Sequence, residues 1–174
     1  CVPIEGIREG EVTVGILPFY HIYGMTVILS MALRQGATIV TMPKFEMSDF
    51  CQLVEQHGVE SGYLVPPIIL GLAKQPVVEE YDLSSLDYIT SGAAPLGEDV
   101  AQACADRLGC MVKQGYGMTE SSPVTHLTAR DETDVPVDSV GHVVPNTEFR
   151  VVDVDGASDV EPGERGELWV RGPQ

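Results

Sequence analysis

The chain has 174 residues, enough for one domain with its own core, and 44% of them are apolar, which is ordinary for a globular protein. It carries 26 acidic residues against 10 basic ones, a formal net charge of −16. That balance repels phosphate backbones and anionic lipid, so it excludes nucleic acid and an acidic membrane surface as partners.

Four cysteines (Cys1, Cys51, Cys104, Cys110) lie among apolar residues without C-x-x-C spacing. This is the pattern of reduced core thiols in a cytoplasmic protein. The longest apolar run, Ile22 to Leu33, has 12 residues and is too short to cross a bilayer. No basic segment followed by an apolar one opens the chain. It begins at Cys1-Val2-Pro3 and stops at Gly172-Pro173-Gln174, and both ends read as cut from a longer protein.

In chain order, Val12 to Leu17 is an apolar run closed by Pro18, which predicts a buried strand. His21 to Leu33 is apolar nearly all round and predicts a buried helix. Ala37 to Met42 predicts a second strand. Glu46 to His57 is amphipathic, with Phe50, Leu53, Val54 and His57 at helical spacing. Ser48 or Asp49 is the expected cap, and Gly58 the stop. Tyr63-Leu64-Val65 is a strand stopped by Pro66-Pro67, and Ile68 to Ala73 a short helix. Asp87 to Thr90 is a strand leading into a turn of small residues, Ser91 to Pro95. Glu98 to Leu108 is a helix with acids in its first turn and Arg107 in its last, matching its macrodipole. Cys110-Met111-Val112 is a further short strand.

Strand and helix alternate four times, which predicts an α/β fold: a mostly parallel sheet flanked by helices. After about residue 128 the texture changes. Phe149 to Val154 and Glu167 to Val170 read as strands with no helix between them, which predicts a small antiparallel β-subdomain. The expected division is residues 1–128 and 129–174.

Ligands bind parallel sheets beyond the carboxyl ends of the strands. Three loops of unusual composition fall at that end: Pro18 to Gly24, Ser91 to Pro95, and Gln114-Gly115-Tyr116-Gly117-Met118-Thr119-Glu120. In the last, Tyr116 between two glycines offers a flat face on a bare backbone. Thr119 offers a hydroxyl to phosphate, and Glu120 a hard oxygen of the kind Mg²⁺ takes when phosphates also hold it. The same residues also suit a tight turn with Tyr116 packed and Glu120 solvated. His21 can position a carboxylate or cap a helix. Tyr23 suits core or pocket wall. Lys44 can hold an anion or pair with Glu46. His57, His126 and His142 lack metal-ligand spacing and read as structural. No P-loop, full G-x-G-x-x-G, G-x-S-x-G or H-E-x-x-H motif occurs, against a P-loop NTPase, a Rossmann dehydrogenase, an α/β-hydrolase and a zincin.

Five segments together resemble the adenylate-forming enzymes, in the acyl-CoA synthetase and luciferase-like group, and within it the 4-coumarate–CoA ligases. They are Leu17 to Gly24, Met42-Pro43-Lys44-Phe45-Glu46, Ser91-Gly92-Ala93-Ala94-Pro95-Leu96-Gly97, Gln114 to Glu120, and Gly166-Glu167-Leu168-Trp169-Val170-Arg171-Gly172. The resemblance implies an AMP-forming acid–CoA ligase. An acid attacks the α-phosphate of Mg·ATP, and coenzyme A then displaces AMP. It implies that Ser91, Gly92, Ala93, Ala94, Gly115 and Tyr116 hold adenine. Thr119 contacts phosphate, and Glu120 binds Mg²⁺. His21 neighbours the reacting carboxylate, and His21, Thr119 and Glu120 are the catalytic set. His21, Tyr23, Gln114, Gly117, Pro123 and Val124 line the acid pocket, and Lys44 contacts coenzyme A.

The family's Ser/Thr/Gly-rich phosphate loop, ribose-binding aspartate, hinge and mobile C-terminal domain with its catalytic lysine do not occur in these residues. The 174 residues therefore correspond to part of the large AMP-binding domain and are expected to be inactive alone. A phenylpropenoic acid such as 4-coumarate is the expected substrate. A fatty acid, or a non-catalytic nucleotide-binding module, are the alternatives. Lys44 and its neighbours argue against a peptide-synthetase domain.

Overall fold

The computed structural model describes residues 7–156 and 158–174. Cys1 and the Val2-Pro3 start lie outside them. Among the described residues nine strands form two sheets. The larger has seven strands in the order β2-β1-β3-β4-β5-β6-β7. Its parallel part comprises β1 (Val12–Gly15), β2 (Thr38–Thr41), β3 (Ser61–Leu64), β4 (Tyr88–Ser91) and β5 (Met111–Gly117). Two strands continue it antiparallel, β6 (Val124–Leu127) and β7 (His142–Val143). The smaller sheet is an antiparallel pair, β8 (Glu148–Val152) and β9 (Glu167–Arg171).

Successive strand side chains point to opposite faces, and each face of the large sheet is covered. On one side α2 (Met47–His57), α3 (Pro66–Lys74) and α4 (Glu98–Leu108) bury Phe50, Val54, Leu64, Leu72, Ile89 and Cys104. On the other, a π-helix (Tyr23–Ser30) running into α1 (Met31–Gln35) buries Val27, Ile28 and Ala32 with Tyr63. The fold is therefore the expected α/β layer structure with a small antiparallel sheet after it.

Several local expectations are corrected. The apolar segment after His21 is not a regular buried helix. It opens as eight residues of π-helix, in which the Ser30 hydroxyl donates to the Met25 carbonyl at 2.7 Å. Met25 and Leu33 on its outer side are exposed. Neither Ser48 nor Asp49 caps α2. The helix begins at Met47, a buried residue, and Glu46 precedes it in extended backbone without a side-chain cap. Gly58 ends α2 in the left-handed region, as expected (φ 59°). Pro66-Pro67 do more than stop β3. They open α3, where a missing N–H costs nothing. Strand β5 is seven residues long rather than three, so Gln114 to Gly117 lie in the sheet and only Met118 to Pro123 form a loop. Strand β6 was not foreseen.

Cys51, Cys104 and Cys110 are free and buried. Burial pushes their thiols up, to about 11, about 11 and about 12. They are inert core side chains, as read from the sequence. Among the described residues no helix is long and apolar enough to cross a membrane.

Candidate nucleotide and acid site

A cavity of about 190 Å³ opens at the carboxyl ends of β4 and β5. Its walls come from three places. His21, Tyr23 and Val27 enter from the loop after β1 and the π-helix. Thr90, Ser91, Gly92 and Ala93 enter from the end of β4. Gly115 to Thr119, Pro123, Val124 and Leu127 enter from the β5–β6 hairpin. The three loops singled out by composition thus meet at one place.

Each wall has a local cause. Gly24 lets the π-helix start against the preceding loop, since a Cβ there would stand 2.3 Å from the Pro18 carbonyl oxygen. Tyr23 is buried, and its hydroxyl lies 3.1 Å from the Thr90 carbonyl and 3.4 Å from that of Leu64. Its ring lies against Gly92, where a Cβ would come within 2.9 Å of it. Ala93 holds a left-handed backbone (φ 70°), an uncommon state for a residue with a Cβ. Thr90 Oγ1 and Ser91 Oγ are buried without a hydrogen-bond partner among the described residues. Such groups are rare in folded proteins, and these two sit on opposite faces of β4 beside the cavity.

Most of the expected site residues come together, with four exceptions. Gln114 does not reach the cavity. It is buried, and its carboxamide bonds both backbone groups of Leu96 and the Val137 carbonyl. With all three bonds made inward, none of its reach is left for an acid. Ala94 lies in the exposed part of the turn, beyond the lining. Glu120 is exposed in the short 3₁₀ turn Thr119–Ser121, at the rim rather than in the wall. Lys44 is away from the cavity. It is exposed and ion-paired with Glu46, whose hydrogen bond and charge hold the ammonium pKa up.

His21 is exposed, and its Nδ1 accepts the Tyr23 N–H at 3.1 Å, so in this state it serves as a cap. Thr90, Val27 and Leu127 line the cavity but were missed. Thr90 directly precedes the small-residue turn, which was a usable signal. Leu127 had none, because β6 had not been read as a strand.

Among the described residues no three His, Cys, Asp or Glu side chains cluster as a metal site. Glu120 alone is one hard oxygen at the rim. That suits Mg²⁺, which is commonly bound by one or two carboxylates together with substrate phosphates.

The comparisons with known proteins agree with this geometry. The family model described as AMP-binding enzyme matches residues 2–174. The 4-coumarate:CoA ligase 1 of Petunia hybrida is 40% identical over 172 residues, which is 97% of this chain and 32% of that enzyme. A 4-coumarate–CoA ligase 1 of Solanum tuberosum is likewise 40% identical over the same shares. The ATP-bound MatB of Rhodopseudomonas palustris superposes with a TM-score of 0.89 at 26% identity, over 99% of this chain and 33% of MatB. A red-emitting luciferase of Phrixothrix hirtus superposes with a TM-score of 0.77 at 32% identity, over 95% of this chain and 29% of the luciferase. The chain spans about a third of the length of the curated relatives it matches. It belongs to the AMP-binding enzyme family of adenylate-forming enzymes, within which it is similar to the 4-coumarate–CoA ligases.

Proposed function

We propose that this chain is the part of an AMP-forming acid–CoA ligase that binds ATP and a phenylpropenoic acid of the 4-coumarate kind. The observation that carries the reading is the meeting of three segments, His21 to Tyr23, Thr90 to Ala93 and Gly115 to Thr119, around one cavity at the carboxyl ends of β4 and β5. In this reading adenine lies on the exposed Tyr116 face, against the Ser91 to Ala93 backbone. The acid enters between Tyr23, Val27, Val124 and Leu127. Gly115 keeps that slot flat, because a Cβ there would stand 3.0 Å from Leu127 Cδ1. A flat aromatic acid fits such a slot better than a flexible chain does.

The proposed chemistry is a carboxylate oxygen attacking the α-phosphorus, with pyrophosphate leaving, followed by attack of the coenzyme A thiol on the acyl carbon, with AMP leaving. Two anions must be brought together, so orientation and preorganised donors supply much of the rate. Thr119 donates to phosphate. His21 stands beside the carboxylate once its Nδ1 leaves the Tyr23 N–H. Glu120 holds Mg²⁺, which supplies charge neutralisation at the phosphates. Lys44 approaches coenzyme A once it leaves Glu46. A cytoplasmic enzyme with reduced thiols is the accompanying proposal.

The test is a competition. The protein in its full reading frame is given ATP with 4-coumarate and octanoate together, and the acyl-adenylates are quantified. An excess of the coumaroyl species supports the aromatic slot. An excess of the octanoyl species assigns the enzyme to fatty acids.

A further inference from the structure

We infer that His126 is a positioning residue for the nucleotide platform, holding the Tyr116 ring from behind as the middle of a three-ring column that ends on Phe149. This rests on the reading of Tyr116 as the adenine platform. Tyr116 and His126 are direct cross-strand partners in the β5–β6 ladder, so their side chains share a face. Their ring centroids are 6.2 Å apart at 60°. Phe149, on β8, meets the same imidazole edge-on, at 5.3 Å and 75°. These separations lie in the range where aromatic pairs attract.

The backbone reinforces the column. The ladder shifts register between Tyr116 and Gly117, which leaves Thr125 without an opposite partner. Bulges of this kind re-aim side chains and recur beside active sites. The Thr125 hydroxyl lies 3.3 Å from the Tyr116 carbonyl and 3.0 Å from His126 Nδ1. With the proton on Nδ1, the imidazole donates to Oγ1 and the hydroxyl proton is left for the Tyr116 carbonyl. The Thr125 hydroxyl thus ties the Tyr116 backbone to β6, while the hold of His126 on the Tyr116 side chain is through its ring. Burial also depresses its pKa, so the imidazole is neutral near pH 7 and acts as an aromatic rather than a cation.

A half-exposed tyrosine at a strand end otherwise loses rotamer freedom when a ligand stacks on it. The column fixes the ring beforehand, and it ties the platform to the small β8–β9 sheet.

The test uses the protein in its full reading frame and reads the ATP dissociation constant by calorimetry, with coenzyme A affinity and melting temperature as references. Tyr116→Ala is expected to weaken ATP about tenfold, and His126→Leu about three- to tenfold with coenzyme A affinity unchanged. His126→Phe keeps a ring and is expected within about twofold of the unchanged protein. If Tyr116→Ala leaves ATP affinity unchanged, the platform reading falls and this inference with it. If Tyr116→Ala weakens ATP but His126→Leu does not, the platform stands and the inference is overturned. Equal weakening in the Leu and Phe variants also overturns it. Should His126→Leu fail to fold, Phe149→Leu thins the same column from its exposed end. About a twofold weakening supports the inference, and unchanged affinity overturns it.

Discussion

The Gln114 carboxamide closes the turn that carries the site onto the neighbouring strand. Its Oε1 accepts the Leu96 N–H at 3.0 Å, and its Nε2 donates to the Leu96 carbonyl at 3.1 Å and the Val137 carbonyl at 2.8 Å. Ser91, where the turn leaves β4, is already the register partner of Gln114. One residue therefore closes the Ser91–Leu96 loop at both ends.

Gln114→Leu keeps the size and leaves those Leu96 and Val137 groups without this partner. We predict a loss of about 3 kcal/mol of stability, read as the shift in the denaturant midpoint. Gln114→Glu loses the two donations while its carboxylate is ionised and recovers one when it is protonated. Its deficit is predicted to shrink as pH falls towards 5. A deficit independent of pH would contradict the latch.

Glu120 is exposed at the rim, and its removal breaks no hydrogen bond among the described residues. Glu120→Ala is predicted to abolish acyl-adenylate formation in the full reading frame with an unchanged circular dichroism spectrum. Unchanged pyrophosphate release from that variant removes Glu120 from the metal role.

Beneath the sheet, at the end opposite the cavity, the Glu11 carboxylate is buried against Arg130 at 2.8 Å. Burial opposes its charge. The nearby Ser61 hydroxyl, the Arg8 N–H and the Arg130 guanidinium outweigh that and hold its pKa below the ordinary value. The unfolded chain therefore binds the proton more readily. Stability from this group is complete above the ordinary glutamate pKa and is lost as pH falls through the depressed one. The melting temperature of Glu11→Gln is predicted to lie below that of the unchanged protein at pH 7, and the gap to narrow below about pH 4. A gap that widens on acidification would contradict the sign.

Gly24 is fixed by contact rather than by dihedral. Gly24→Ala forces its Cβ towards the Pro18 carbonyl oxygen and is predicted to cost about 2 kcal/mol. The same displacement moves Tyr23 in the cavity wall. The measurement is the melting temperature together with the Michaelis constant for the acid. A stable variant with an unchanged constant would show that the loop yields freely.

The layer order was legible because strand and helix periods differ, and because Gly and Pro mark the joints. Helix α4 falls on its expected residues, with Glu98 and Asp99 in its first turn and Arg107 in its last. The site loops were legible because bare Gly and small residues between apolar runs have few structural uses. What stayed hidden depends on tertiary contact. The Gln114 side chain faces Leu96 only because β4 and β5 are in register. The close approach of Gly24 to Pro18 at the start of the π-helix is a contact that no periodicity records. His126 reads as an isolated histidine until β6 pairs with β5, whereas the Lys44–Glu46 pair, two residues apart, was already legible in the sequence.

The central proposal is that the protein in its full reading frame activates an aromatic acid as its adenylate and hands it to coenzyme A. The most direct measurement incubates the protein in its full reading frame with Mg·ATP, coenzyme A and a panel of aromatic and aliphatic acids, and identifies the products by mass spectrometry. The account predicts coumaroyl- or cinnamoyl-CoA with AMP. The 174 residues alone are predicted to give neither adenylate nor thioester. A fatty acyl-CoA product would keep the mechanism and overturn the acid class. ATP binding with no adenylate or thioester from any acid would contradict the claim and leave a nucleotide-binding module.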